Sequence, residues 1–402
     1  MSVFKLIRVT TIPISLGSLL KGQLGYMQNH FEVLGISSKE DQYVSLEEYG
    51  RSENIRVIPV EMTRSITPYK DLKALYHLFK IFKQEQPDIV HSHTPKAGTL
   101  AMLAAKLAGV PHRLHTIAGL PLLESRGAKR KLLNLVERIT YRCATKIYPN
   151  SNGLKEIVLR EGFTHEKKLK VIGNGSSNGI DVEYFDPSLF NEVSRKALKD
   201  KLGIPQNNFV FIFSGRYVKD KGVNELVNAF VSIHKNYRET SLLLIGCFEE
   251  DLDPLLPETV AAIKNHPAIY DTGWHREFRP YFTIADALLF PSYREGFPNT
   301  VMQAGAMGIY SIVSNINGCN EIIIDGQNGR IIPPKDTVAL KNAMLEALST
   351  LRPSEGYNSY YRQLIIQRYS RPYIWEALLN EYQTLLGKKT QHPSKEKEKA
   401  YV

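Results

Sequence analysis

Short runs that are apolar over nearly their whole length, each followed by a stretch of helical periodicity, recur along this chain, and nothing else restricts its fold as much. In the later half these runs are NFVFIFSGR, SLLLIGC, IYDTGW, DALLFPS, YSIVSN and GRIIPP. Strands without polar alternation belong to sheets buried on both faces, and the helices between them make those sheets parallel. The first half repeats the pattern. FKLIRVTTI, HFEVLGISS, IRVIPVEM, DIVHSHT, HRLHTIAG, ATKIYPNS and LKVIGNG read as strands, with LLKGQLGYMQNH, LKALYHLFKIFKQEQP and GTLAMLAAKLAG as helices. Between the halves, GSSNGIDVEYFDPSLF (175–190) has the Gly, Ser, Asp and Asn content of a linker. Two doubly wound α/β lobes are therefore expected, over 1–187 and 188–370. The 402 residues exceed the ~250 to 300 at which one core usually splits.

The composition, 43% hydrophobic and 23% charged, is that of a globular protein. Of the formal net charge of +10, GKKTQHPSKEKEKAYV supplies three units through five Lys against two Glu. Polar and aperiodic, the basic tail 388–402 is expected to be disordered. In RGAKRKLLNLVERITYRCATK (126–146), Leu132, Val136, Ile139 and Cys143 recur at helical spacing, with Lys131, Arg138 and Arg142 on the opposite face. Such a face is either solvated or turned toward anionic lipid headgroups. Nucleic acid is not expected as a partner, because no basic stretch interleaves with aromatics and no zinc-finger spacing occurs. Cys143, Cys247 and Cys319 are scattered, which fits a reducing cytosol better than a disulfide framework or a zinc site. VFKLIRVTTIPISLGSLL has the look of a secretory leader, but Arg8 breaks its apolar run, so it is expected to open with a buried strand. No uninterrupted apolar run reaches the ~18 residues of a membrane span, so any membrane contact should be peripheral.

Ligands of doubly wound folds lie beyond the carboxyl ends of the strands, here the loops after Ser214, Gly246, Gly273, Ser292 and Ser314. In SGRYVKDKGVNELVNAF, Arg216 follows a strand and Lys221 precedes a helix; two cations beside helix amides suit a diphosphate, though loop cations are also commonly solvated. Neither a Walker loop nor G-x-G-x-x-G is present, so an NTPase loop and a dinucleotide fingerprint are both unsupported. In SYREGFPNTVMQAGAMG, Gly296 permits close backbone approach, while Pro298 and Asn299 can start a helix, with capping as at least part of the role of Asn299. Glu295, an acid beside a glycine turn at a strand end, has little structural purpose.

GRYVKDKG and PSYREGFPNT, with the spacing between them, resemble the nucleotide-sugar-binding lobe of glycosyltransferase family four, retaining enzymes of the GT-B fold. HSHTPKAGTLAMLAAKLAGVP and INGCNEIIIDGQNG are similar, more narrowly, to its bacterial capsular-polysaccharide and lipid-linked-oligosaccharide group. The resemblance runs from about residue 5 to 386. In that family a Glu, seven residues, Glu pattern puts the first acid by the donor sugar and the second on the ribose hydroxyls. Glu295 matches the first, and Gln303 stands in place of the second. A glutamine both accepts and donates, so it can still hold a ribose at a cost of about 1 kcal/mol. The resemblance further implies donor contacts from Gly215, Gly246, Trp274, Gly296, Phe297, Pro298, Asn299 and Thr300. Gly17, Lys96 and Gly119 would lie on the acceptor side. Trp274 suits either a nucleobase or core packing. Where relatives carry a histidine in T-V-H-G, this chain has TIAG with Ala118, leaving His115 as the substitute catalytic histidine or an ordinary strand-end one. His91 and His93 would need a third ligand to hold a metal. Asp251 and Asp253, in EEDLDP, read as a solvated acidic loop rather than a metal site.

What the resemblance implies is hexosyl transfer with retention and without a metal or other cofactor, from a nucleotide sugar, UDP-linked by expectation, to a polyprenyl-diphosphate-linked saccharide in surface polysaccharide synthesis. Lys221 and Arg216 would neutralise the leaving diphosphate, and YSRPYIWEALLNEYQTLL (residues 371–387 in the main) would be the helix that crosses back to the first lobe. The loop PISLGSLLKGQLGYM and LPLLESRGAKRK would border a lipid acceptor at the inner face of the plasma membrane. Two rivals of other classes remain: a sugar-nucleotide 2-epimerase, which needs several carboxylates, and a non-catalytic nucleotide-sugar binder, suggested by Gln303 and Ala118.

Overall fold

The structure, a computed structural model, describes residues 4–41, 44–63, 67–120, 122, 125–249, 253–351 and 357–387. The basic tail 388–402 lies outside the described residues. By compactness the chain divides into a first unit of Met1–Thr116, Leu135–Tyr148 and Pro372–Val402, and a second of Ile117–Asn134 and Pro149–Arg371. Each is built around one six-stranded sheet.

The first sheet has the order β3-β2-β1-β4-β5-β6, with β1 Lys5–Val9, β2 Glu32–Ser37, β3 Arg56–Pro59, β4 Ile89–Ser92, β5 His112–Ile117 and β6 Lys146–Pro149. The second runs β12-β11-β10-β7-β8-β9, with β7 Phe209–Ser214, β8 Thr240–Ile245, β9 Ile269–Asp271, β10 Ala287–Phe290, β11 Tyr310–Ser314 and β12 Gly329–Ile332. Read from their first strands, the two orders are the same doubly wound order, with all described ladders parallel. The strand order reverses between β7 and β10, so the loops after these strands flank the switch point where ligands of such sheets bind.

Strand β7 shows why its sequence lacks alternation. Phe209, Phe211 and Phe213 pack under helix α9 (Val223–His234), whereas Val210 and Ile212 face helix α12 (Asn299–Ala306). Both faces are dry. LKVIGNG differs from expectation: it adds no strand to the first sheet, because Gly173 and Gly175 take positive φ and turn the chain away. PISLGSLLKG, expected as a loop, opens as helix α1 (Pro13–Leu19), started by Pro13 in its first turn, so Gly17 is helical. None of the helices among the described residues is long and apolar enough to cross a membrane.

The first unit buries an unusual polar core. Arg8, in β1, is fully buried; its Nη1 donates to the Tyr382 hydroxyl at 2.8 Å and its Nη2 to Gln23 Oε1 at 2.8 Å. Tyr382 belongs to helix α16 (Arg371–Leu385), which buries Ile374, Leu378 and Tyr382. A second Nη2 contact, 2.6 Å to His93 Nε2, makes that ring nitrogen an acceptor and puts the ring proton on Nδ1. The Tyr382 hydroxyl, accepting from Arg8, donates to His91 Nδ1 at 2.5 Å, so His91 carries its proton on Nε2 and donates it to Thr116 Oγ1 at 2.7 Å. Both rings are neutral, their pKa values held well below the usual histidine range by burial first and by the Arg8 charge second.

Candidate active site

The site forms where β7 and β10 end. Glycines hold the neighbouring strand ends together: Gly215 N–H donates to Ile245 O, and Gly246 N–H to Gly273 O, both at 2.9 Å. A Cβ on Gly246 would lie 1.8 Å from Gly215 O, so only glycine fits. Past Gly215 the chain reaches Arg216, whose side chain is 50% exposed and pairs with Glu249. A 3₁₀ turn, Lys219–Lys221, then leads through Gly222 into α9. Gly222 abuts the carbonyl of Pro291, 2.1 Å from where its Cβ would be, which brings the Lys221 turn against the loop after β10. Tyr293 N–H completes the junction by donating to Asp220 O at 2.8 Å.

This packing delivers Lys221 to Glu295. Their Nζ–Oε1 distance is 2.5 Å, with exposures of only 18% and 15%. The Ser292 hydroxyl also donates to Glu295 Oε1, at 3.0 Å. The Glu295 backbone is fixed as firmly as its side chain. Asn317 Nδ2 donates to the carbonyls of Glu295 and Gly296, the latter at 3.2 Å. Gly296 touches the Ala118 carbonyl so closely that a Cβ would lie 1.7 Å from it. Gly318, at φ +79°, packs against Gly296 O. Three residues on, the Glu321 carboxylate accepts from the amides of Asn152 (2.7 Å) and Gly153 (3.0 Å), the first turn of helix α7 (Asn152–Arg160). Asn317 and Glu321 were not singled out from the sequence. The one local signal is a glutamate three residues after Gly318, placed for its carboxylate to reach back toward the Gly318 amide, 3.5 Å away.

Helix α12 starts at Asn299 as expected, but its cap residue is Pro298 and no side chain caps it, so the capping role considered for Asn299 is corrected. The helix amides of its first turn are left to outside acceptors. Thr300 Oγ1 reaches toward Ser214 O at 3.5 Å, and Phe297 is buried against Tyr369. Gln303 lies one turn after Asn299 on the same helix, half-buried. Trp274 stands 71% exposed on the loop after β9, which removes the core-packing alternative.

Other expected residues lie elsewhere. His115 is a correction: it is buried, its Nδ1 lies 2.9 Å from Ser92 Oγ, and its ring packs on Gly98, where a Cβ would be 2.4 Å away. Burial lowers its pKa to about 4, so at neutral pH it is an uncharged core residue. Three of the four ring nitrogens of His91 and His93 are engaged by Tyr382, Thr116 and Arg8, and among the described residues no third ligand joins them. Lys96, at the start of helix α5 (Pro95–Ala108), is bound at 2.6 Å by both Asp71 oxygens. Gly119 follows β5 with open space where a Cβ would stand. Asp253 Oδ2 accepts from the Asp220 amide at 2.7 Å, while its expected companion Asp251 lies outside the described residues. On helix α6 (Gly127–Cys143), Lys131, Arg138 and Arg142 are exposed as expected. Leu132 and Ile139 are corrected: they are exposed too, beside Leu135, because the buried face is made by Thr140, Tyr141 and Cys143.

A family model described as "Glycosyl transferases group 1" matches residues 194–362, and one described as "Glycosyl transferase 4-like domain" matches residues 30–175. The chain is 31% identical over 386 residues to the capsular polysaccharide biosynthesis glycosyltransferase CapM of Staphylococcus aureus, covering 95% of this chain and 97% of that one. It is 32% identical to the UDP-Gal:alpha-D-GlcNAc-diphosphoundecaprenol alpha-1,3-galactosyltransferase of Escherichia coli, over 71% of this chain and 72% of that one. Among solved structures, a glycosyltransferase from Rickettsia africae superposes with a TM-score of 0.77 at 21% identity, covering 97% and 100% of the two chains. Anabaena Alr3699/HepE in complex with UDP superposes with a TM-score of 0.78 at 15% identity, covering 95% and 100%.

Proposed function

The chain belongs to glycosyltransferase family four, in the group that builds capsular and lipid-linked saccharides, and has the GT-B fold; from that premise we propose that it moves a hexose or N-acetylhexosamine from a UDP-sugar to a polyprenyl-diphosphate-linked saccharide, with retention. The observation that carries this reading is the close Lys221–Glu295 pair at the carboxyl ends of β7 and β10, with Arg216 on the same loop after β7 and the first turn of α12, uncapped by any side chain, reaching the end of β7 through Thr300.

A diphosphate entering here meets two cations and a helix N-terminus, which neutralise the charge of the departing group without calling on a metal. Lys221 then exchanges part of its contact with Glu295 for phosphate, and the carboxylate is freed to accept from donor-sugar hydroxyls and to stabilise positive charge at the anomeric carbon. The bond from the anomeric carbon to the phosphate oxygen breaks, the acceptor oxygen bonds to the same face of that carbon, and the acceptor's hydroxyl proton passes to the leaving phosphate oxygen. No separate protein base is required. Gln303, one turn into α12, holds the ribose, and exposed Trp274 covers the base.

The lipid-linked acceptor is supported by the undecaprenol-linked substrate in the name of the E. coli relative. It would bring the protein to the cytoplasmic membrane surface as a peripheral protein. There Lys131, Arg138 and Arg142 of α6, beside exposed Leu132, Leu135 and Ile139, face anionic headgroups. The test is incubation of the purified protein, in EDTA, with a panel of UDP-sugars and lipid-linked acceptors, read by mass spectrometry. Glycosylated lipid is expected. Interconversion of the free donor, or binding without turnover, would replace this reading with an epimerase or a binding protein.

A further inference from the structure

Helix α4 (Pro68–Glu85) meets the core through Ala74, Leu78 and Phe82, a complete apolar stripe for a surface helix. Yet it carries a second stripe on the other side. Tyr69, Leu72 and Tyr76 are 83%, 66% and 54% exposed. At about 100° per residue these three, with Lys73 and Lys80, fall in an arc of roughly 100° whose centre lies opposite the buried stripe. One large apolar residue in solvent is ordinary, but three on one helix face, all large, are a contact surface awaiting an occupant.

The charges on the helix say which occupant. Its two acids are already neutralised within the first unit: Asp71 by Lys96, and Glu85 by Lys5 and Arg56. Its lysines 70, 73 and 83 have no carboxylate partner among the described residues, and Lys80 lies only over the Tyr76 ring, 4.9 Å from its centre. The outward face is thus aromatic and aliphatic with a net positive fringe. Tyrosines with an apolar body and polar tip, flanked by long cations, suit the boundary between headgroups and acyl chains. Its neighbours continue the layer. Helix α5 packs along α4, and its Thr99 hydroxyl lies 2.9 Å from that of Thr140 in α6, the helix with the exposed leucines.

We propose that the outer face of α4 docks the protein on an anionic lipid bilayer, with Tyr69, Leu72 and Tyr76 entering the interface and Lys73 and Lys80 meeting headgroups. The proposal rests on the reading above that the acceptor is lipid-borne, and it makes α4, rather than α6 alone, the docking element.

The test measures co-sedimentation with vesicles of phosphatidylcholine containing phosphatidylglycerol, without acceptor or donor. Replacing Tyr69, Leu72 and Tyr76 together by serine is expected to weaken partitioning by more than about tenfold. Lys73→Gln and Lys80→Gln should each weaken it by up to about fivefold, less as salt is added. Tyr69→Trp with Tyr76→Trp should keep or strengthen binding, which a mere loss of folding would not allow. Equal binding by the triple variant and the parent overturns the proposal, as does binding lost only on reversing the α6 charges. A dimer in solution that the triple variant abolishes, without any vesicle binding, would assign the face to a second copy. The same variant, given a short-chain water-soluble acceptor, should turn over at the parent's rate. If the parent itself transfers no sugar while vesicle binding behaves as described, the functional reading fails and the docking surface stands.

Discussion

Lowering the pH from 7.5 to 5.5 should destabilise the first unit through three histidines. His91, His93 and His115 are all buried and neutral, and burial is the leading cause of each lowered pKa. In the unfolded chain a histidine takes up its proton near pH 6.5. The folded-state values lie lower, so the stabilisation is complete above about pH 6.5 and is lost as the pH falls below it, when the unfolded state binds protons that the native state refuses. For His115 the loss continues until about pH 4. At pH 5.5 His115 alone costs a little over 1 kcal/mol, and His91 and His93 add losses of the same sign. For a unit of this size His115 by itself lowers Tm by roughly 2 to 4 °C, and the other two rings deepen the fall. Surface carboxylates remain ionised across this window, so they contribute little. The assay is thermal unfolding by calorimetry at the two pH values, with the histidine ring Cε1–H shifts followed by NMR. The His115 ring should hold the shifts of neutral imidazole down to about pH 5, and the other two should stay neutral well below the usual histidine range. Three rings that titrate near pH 6.5, or a first unit that melts at the same temperature at both pH values, would refute the proton arrangement around Arg8.

Three further outcomes concern the site. Lys221→Ala should lower kcat/KM by about 10² to 10³ with the fold intact, measured by steady-state transfer, since it removes the least exposed cation facing the leaving group. Gln303→Ala should raise donor KM by about fivefold, the value of one neutral hydrogen bond, while Gln303→Glu stays near the parent; an unchanged KM in the alanine variant would remove Gln303 from the site. Asn317→Ala leaves the Glu295 and Gly296 carbonyls without their donor and should lower kcat by about tenfold at constant donor KM, with Asn317→Gln no substitute because its amide lies a methylene further out.

The sequence pattern made the two sheets legible because continuous apolar strands can only be satisfied between two layers, and β7 has helices on both faces. LKVIGNG misled for a local reason: its apolar start is followed by two glycines in left-handed or related conformations, which the pattern does not weigh. Glu295 and Arg216 were found from their place at strand ends, but the partnership of Glu295 with Lys221 spans 74 residues and becomes visible only when Gly222 meets Pro291. His115 misled because alternation along β5 does not say which face holds Gly98, the glycine that makes room for its ring. The Arg8 cluster was out of reach. An arginine in a strand reads as an interruption, and its principal partner, Tyr382, lies 374 positions away.

That distance has a consequence for biosynthesis. Strand β1 leaves the ribosome 374 positions ahead of the hydroxyl that receives its guanidinium. Until residue 382 emerges, the nascent first unit holds a desolvation-averse cation and two imidazoles without the Tyr382 hydroxyl that pairs with them, so its core waits while the second unit is translated. A fragment ending at 370 would never receive that hydroxyl.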